Sequence, residues 1–296
     1  MSITVFTPTY NRANKIYDLY NSLLLQTYKN FEWIIVDDGS VDNTEEVIND
    51  IISKNNEFKI YYYKQKNSGK HVAINYGVEK ANFDLFFIVD SDDELPQNSL
   101  ELIDKWEKTL PNDAKFAGIG GLKGFKNGIA VGSSFSDNYI DCTSLERNKH
   151  NIYGDKAEVF YTKILKQFPF PSFECENFLT ESLVWYRIAS SGYKIRWFNE
   201  IVYICEYYDD GLSKKKSKFY DNYNGFILQV SEELKYKEIS FKEKMRKLLI
   251  CLGYSKYKNI KVRYVAEKLK INIFIASVFR FCGYIALKWI FNKKYE

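Results

Sequence analysis

The chain has 296 residues, enough for one large α/β domain with an appendage or for two small domains. Its 46% hydrophobic content is that of an ordinary globular protein, and its five cysteines (Cys142, Cys175, Cys205, Cys251, Cys282) show no CxxC and no regular spacing, which excludes a disulfide framework and points to reduced thiols in the cytosol. The net charge of +4 divides unevenly: residues 211–296 hold 20 Lys and Arg against 7 Asp and Glu, and residues 1–210 hold 22 against 31, so a basic tail of +13 follows a front of −9. Such a tail meets an anionic partner, nucleic acid or anionic membrane.

Residues 3–6 read as a strand, so the chain enters its fold without a basic and then apolar leader, and no signal peptide is expected. A helix follows, with Ile16, Leu19, Tyr20, Leu23 and Leu24 in helical spacing. Residues 31–36 form a second strand, and Asp42 or Asn43 caps a helix carrying Val47, Ile48, Ile51 and Ile52. Residues 59–63 form a third strand, residues 70–80 a helix opened by Asn67-Ser68-Gly69, and residues 85–89 a fourth strand. This alternation of strand and helix predicts a doubly wound parallel sheet.

A helix then runs from Asn98 to about residue 110, and residues 115–121 form a strand before a Gly-rich stretch. Residues 155–166 read as helical, broken by Phe168-Pro169-Phe170-Pro171. A helix over 180–191 has Thr180 as N-cap and Gly192 just past its end. Residues 194–198 and 201–205 read as two strands joined by Asn199-Glu200, residues 206–217 as a loop, and the rest as helical and basic.

Chemistry collects at one edge of the predicted sheet. The run Phe86 to Val89 stops at Asp90, Ser91, Asp92, Asp93 and Glu94, four carboxylates in five residues. They repel one another unless a cation or hydrogen-bond donors sit among them. At the carboxyl end of a parallel strand, where open α/β sheets bind ligands, hard oxygen ligands suit Mg²⁺ or Mn²⁺ and a bound diphosphate. Asp37 and Asp38 end the second strand at the same edge. His71, one of two histidines, reads as a surface residue or as one assisting at phosphate.

Four blocks in this order and spacing carry a family resemblance: TPTYNR at 7–12, VDDGSVDNT at 36–44, NSGKHVAINYG at 67–77 and FFIVDSDDEL at 86–95. The chain resembles the inverting family 2 glycosyltransferases, whose α/β GT-A fold has a mostly parallel nucleotide-binding sheet flanked by helices. GDKAEVF at 154–160, FLTESLVWYRIASSGYKI at 178–195 and YICEYYDDGLS at 203–213 resemble a subgroup that assembles bacterial surface polysaccharide such as capsule. The resemblance implies a catalytic domain over 1–213, with a nucleotide-sugar half at 1–110 and an acceptor half at 111–213. A helical basic region over 214–296 follows.

It also implies roles. Pro8 and Tyr10 pack on the nucleotide, Asp38 or Asp37 accepts from the uracil N3–H, and Lys70 approaches the nucleotide. Asp90 and Asp92 are the acids of a DxD motif: Asp92 on the metal, Mn²⁺ or Mg²⁺, and Asp90 on the ribose or a metal-bound water. Asp93 adjoins them. Glu181, where the family carries an acid pair ahead of a helix, is the base; here Thr180 replaces the first acid, and Glu174 and Glu176 are alternatives. The implied reaction moves a sugar from a UDP-sugar to a saccharide or a polyprenyl-diphosphate-linked acceptor. A nucleotidyltransferase is the alternative enzyme, but TPTYNR lacks its Gly-rich loop, and no nucleic-acid-binding motif accompanies the basic tail.

Residues 271–291 place Ile271, Phe274, Ile275, Val278, Cys282, Ile285 and Trp289 on one helical face, with Ser277, Arg280, Tyr284 and Lys288 toward the other; Ile273, Leu287 and Phe291 blur the division. An in-plane amphipathic helix is expected, its Arg280 and Lys288 heads at lipid phosphates. The protein is then cytoplasmic, peripheral on the inner face of the cell membrane.

Overall fold

A computed structural model describes residues 1–111, 114–206 and 217–292, so most of the loop expected at 206–217 lies outside the described residues. The first four apolar runs become parallel strands: β1 (Ile3–Thr9), β2 (Phe31–Asp37), β3 (Lys59–Lys64) and β4 (Leu85–Ile88). β1 and β2 are buried along their whole length, as expected of strands covered on both faces. Helices α1 (Ile16–Leu24), α2 (Thr44–Lys54) and α3 (Lys70–Lys80) connect them. Asp42 accepts from the Thr44 N–H at the start of α2.

α4 (Ser99–Glu107) leads to β5 (Phe116–Gly124) and β6 (Tyr139–Cys142). Three expectations fail beyond this point. Residues 155–166 are not one helix: β7 (Lys156–Tyr161) precedes a single turn, α5 (Thr162–Leu165). β7 pairs antiparallel with β4 on one side and β5 on the other, and that pairing overrides a local sequence compatible with helix. After α6 (Ser182–Ser190), residues 194–205 form one strand, β8 (Lys194–Ile204), not two. The Asn199-Glu200 step is an irregularity within its pairing to β5, where the register jumps from Gly120↔Trp197 to Leu122↔Ile201. α6 also begins two residues after the expected Thr180.

The eight strands run β3-β2-β1-β4-β7-β5-β8-β6. β7 and β6 are antiparallel to their neighbours and the other pairings are parallel, so the sheet is mixed rather than purely parallel. From β1 the chain moves outward through β2 and β3, then returns to place β4 on the other flank of β1. The carboxyl ends of β1 and β4 therefore form a topological switch point, where such sheets open a ligand crevice.

The chain divides into two compact units. The first holds Met1–Pro171 and Val184–Gly211, and the second Ser172–Leu183 and Leu212–Glu296. In the second lie α7 (Lys218–Asp221), α8 (Tyr223–Glu233), α9 (Phe241–Tyr257), α10 (Val262–Leu269) and α11 (Ile273–Asn292). Tyr223, Phe226, Val230, Leu252, Val265 and Leu287 are among the residues of their shared core. Ser240 caps α9 by accepting from the Glu243 N–H at 3.2 Å.

α9 and α11 meet at glycines. A Cβ on Gly283 would lie 2.1 Å from the Leu249 carbonyl oxygen, a backbone atom that cannot step aside. Gly283→Ala is therefore expected to destabilise this unit by about 1–3 kcal/mol, although alanine is the better helix former by about 1 kcal/mol. A thermal melt showing equal or greater stability would mean that the helices do not approach this closely.

Among the described residues no single helix is long and apolar enough to cross a membrane; α10 and α11 pass such a test only as a pair bent by 110°. Arg280 does not turn toward solvent as expected. Its guanidinium donates to the Ser255 Oγ (3.1 Å), the Ser255 carbonyl (3.3 Å) and the Ile260 carbonyl (2.8 Å), satisfying acceptors at the end of α9 and just beyond it.

Candidate active site

The loops after β1 and β2 clasp each other at the switch point. Asn11 donates its N–H to Ser40 Oγ (2.9 Å), its Oδ1 accepts from the Val41 N–H (2.9 Å), and Arg12 N–H donates to Thr44 Oγ1 (3.0 Å). Gly39 takes a φ of +82°, and a Cβ there would lie 2.9 Å from the Asn67 nitrogen, so the β2 loop closes against the segment before α3 only with glycine.

Pro8 is the eighth residue of the chain and belongs to β1 itself, not to the loop after it. The β1–β4 ladder ends at Phe6↔Ile88, and Pro8 is paired only with Val36 of β2. Tyr10, the first residue past β1, is 45% exposed.

Asp37 and Asp38 are both buried, and the structure gives them different work. Asp37 accepts from the Ser40 N–H (2.8 Å) and the Tyr62 hydroxyl (2.9 Å) and is fully enclosed. Asp38 accepts from Gln65 Nε2, the Ser68 N–H and the Gly69 N–H, each at 2.8 Å. It thus ties β2 to the amino end of α3. A carboxylate has about four acceptor positions, so Asp38 keeps about one for a further donor.

The acidic loop after β4 is met by three cations. Lys70 Nζ lies 2.6 Å from Asp90 Oδ1, and Arg12 Nε lies 3.4 Å from Asp92 Oδ2. Lys123 of β5 lies over the Tyr203 ring, 3.9 Å from its centroid. Burial works to raise the Asp90 pKa, but Lys70, Lys123 and Arg12 outweigh it and hold the carboxyl below its ordinary value. Asp92 goes the other way: burial, then the neighbouring Asp90, push its pKa up.

Asp93 faces inward. The Tyr203 hydroxyl donates to its Oδ2 at 2.6 Å, the Glu206 N–H donates to its Oδ1 at 3.3 Å, and burial followed by Asp90 pushes its pKa up to about 7. The same Tyr203 oxygen accepts the Asp90 N–H at 2.9 Å, so one hydroxyl from β8 fixes both ends of the Asp90–Asp93 turn. Burial raises the Tyr203 pKa well above ordinary, which keeps the hydroxyl a donor.

Glu181 belongs to the second unit and stands immediately before α6. Glu176, one of its alternatives, uses both oxygens within that unit, accepting from the Asn224 N–H (2.6 Å) and the Gly225 N–H (2.8 Å) in the first turn of α8. Glu174 is exposed. His71 is not a surface residue: it is 2% exposed, its burial lowers its pKa, and its Nδ1 has no hydrogen-bond partner among the described residues.

Sequence reasoning assigned no part to Arg12, Lys123 or Tyr203. Arg12 and Tyr203 stand inside quoted blocks, so position alone flags them; Lys123 has no local signal, because only the β5–β8 pairing brings it to Tyr203.

Acids and bases thus alternate at the carboxyl edge of this Rossmann-like sheet, around the ends of β1 and β4. Residues 4–121 match the Glycosyl transferase family 2 domain. An uncharacterized glycosyltransferase of Haemophilus influenzae is 38% identical over 99 residues, which are 33% of this chain and 39% of that protein. The match thus spans well under half of the relative's length. Among solved structures, S. aureus TarS 1–349 in complex with UDP-GlcNAc superposes with a TM-score of 0.66 at 19% identity, over 99% of this chain and 92% of that one. The mannosyltransferase PcManGT of Pyrobaculum calidifontis, in complex with GDP-Man and Mn²⁺, gives 0.56 at 16% identity, over 96% and 74%. At these identities the superpositions establish the GT-A fold.

Proposed function

We propose that the protein transfers a sugar from a UDP-sugar, with inversion, to a saccharide or polyprenyl-diphosphate-linked acceptor in the assembly of a bacterial surface polysaccharide. The observation that supports this most is the meeting of Asp90 and Asp92 with Arg12 and Lys70 at the switch point of a family 2 domain. In the proposed reaction the acceptor hydroxyl oxygen bonds to the anomeric carbon as the bond from that carbon to the diphosphate oxygen breaks. The diphosphate leaves with the electron pair, and Glu181 takes the hydroxyl proton. Arg12 and Lys70 are placed to answer charge on the diphosphate.

The donor set fits a hard divalent cation. Asp92 is a partly exposed carboxylate whose pKa is raised by burial and by Asp90, so added positive charge there is favourable. Among the described residues no cluster of three or more His, Cys, Asp or Glu could hold a metal ion by itself, so substrate phosphates and water would have to complete the shell around Asp92. Asp92 would hold the ion, Asp90 would reach the ribose or a metal-bound water, and the ion would neutralise charge on the departing diphosphate.

Asp38, with its one remaining acceptor position, is the residue to read a pyrimidine N3–H, and Asp37 supports it. Isothermal titration is expected to show UDP binding at least tenfold more tightly than GDP. Tight GDP binding with none for UDP would overturn the nucleotide assignment. A lipid-linked acceptor would place the enzyme on the cytoplasmic face of the membrane.

A further inference from the structure

We propose that the exposed face of α11 is a docking surface for an anionic lipid bilayer, with the helix lying in the plane of the headgroups. Phe274, Val278, Phe281, Ile285 and Trp289 are between 46% and 75% exposed. Their spacing of four, three, four and four residues keeps them on one side of the helix through four turns. Ile275, 47% exposed, widens the strip. A soluble surface carries apolar residues singly; a continuous row of large ones marks an interaction face.

Two further features select a bilayer as the occupant. The first is that the strip contains no charge. Arg280, the one charged residue in the middle of the helix, is turned to Ser255 and Ile260, so seating the strip in the acyl boundary does not desolvate a free guanidinium. The second is the charge around it. Residues 256–288 hold eight basic residues and one acidic residue. Lys256 stands at the margin of the strip, its Nζ 4.8 Å from the Phe281 ring centroid and 4.5 Å from that of Tyr284. Its stem can follow the apolar surface while its ammonium meets a phosphate. A second copy of this chain would bring the same positive charge to the interface and repel it, whereas an anionic bilayer supplies apolar and negative character in adjoining layers. Trp289, 63% exposed near the helix end, has the amphipathic ring that favours the headgroup level.

This surface is independent of the transferase reading, because it is measured without turnover. The full chain is floated with phosphatidylcholine vesicles, with and without phosphatidylglycerol, at low and high salt. The expected result is flotation with the phosphatidylglycerol vesicles at low salt, weakened by salt. Binding should fall about tenfold or more in a Val278→Asp/Ile285→Asp double variant. Both side chains are exposed, so the variant should melt as the wild type does. The proposal is overturned if the wild type stays unbound to anionic vesicles at low salt, or if the variant floats equally well. It is likewise overturned if the wild type ignores vesicles but sediments as a dimer that the variant loses, which would assign the face to a second copy.

Discussion

Asp92→Asn is expected to slow sugar transfer by a factor on the order of 10² or more while leaving the protein folded. The amide keeps the shape of the side chain and removes its charge. In the wild type that charge is disfavoured by burial and by Asp90, so its removal relieves a repulsion and the variant should melt no lower. Loss of rate without loss of stability would then report on the donor's diphosphate and the cation proposed to accompany it. The measurement is product formation with and without divalent metal. Transfer by the variant at the wild-type rate without metal would mean that Asp92 has no part in the chemistry.

Glu181→Gln is expected to reduce transfer by about 10²–10⁴ with donor affinity nearly unchanged, because a base acts only in the chemical step. Calorimetry with the nucleotide separates the two quantities. An equal loss of donor binding would make Glu181 a donor contact. The alternatives give different signatures. Glu176 holds two N–H groups of the first turn of α8, so Glu176→Gln should lower the melting temperature first. Full activity in Glu181→Gln with loss in Glu174→Gln would move the base to the exposed Glu174.

The front of the fold was legible because its physics is local. The run at 85–89 is apolar throughout and that at 31–36 is apolar but for Glu32; both end in aspartates, and the structure forms β2 and β4 from them with those aspartates at the carboxyl edge. The segment 155–166 was not legible. Lys156-Ala157-Glu158 suits a helix, and only the open flanks of β4 and β5 make it a strand. β8 was divided in two because Asn199-Glu200 looks like a turn, while its pairing with β5 absorbs the step as an irregularity. In the site, motif spacing pointed to the aspartates. It did not point to Lys123, a lysine from a strand joined to β8, nor to the division of labour between Asp37 and Asp38, which depends on what Tyr62, Gln65, Ser68 and Gly69 donate. The apolar face of α11 followed from its periodicity, but the turn of Arg280 to α9 depends on the tertiary partner.

The position of β8 in the sheet has a consequence for synthesis on the ribosome. The family 2 match ends at residue 121, yet β5 finds its partners only when β7 and then β8 have been made. Tyr203, the hydroxyl that braces the Asp90–Asp93 turn, is next to last in β8, after an excursion of the chain through residues 172–183 of the other unit. A nascent chain that has emerged only through β6 therefore presents β5 with both flanks unpaired and an unbraced acidic turn. Non-local pairing of this kind is slow to form and leaves open edges that recruit other chains. The acidic motifs near the start of the chain thus acquire their final shape late, and truncation ahead of residue 203 should yield an aggregating fragment rather than a small independent domain.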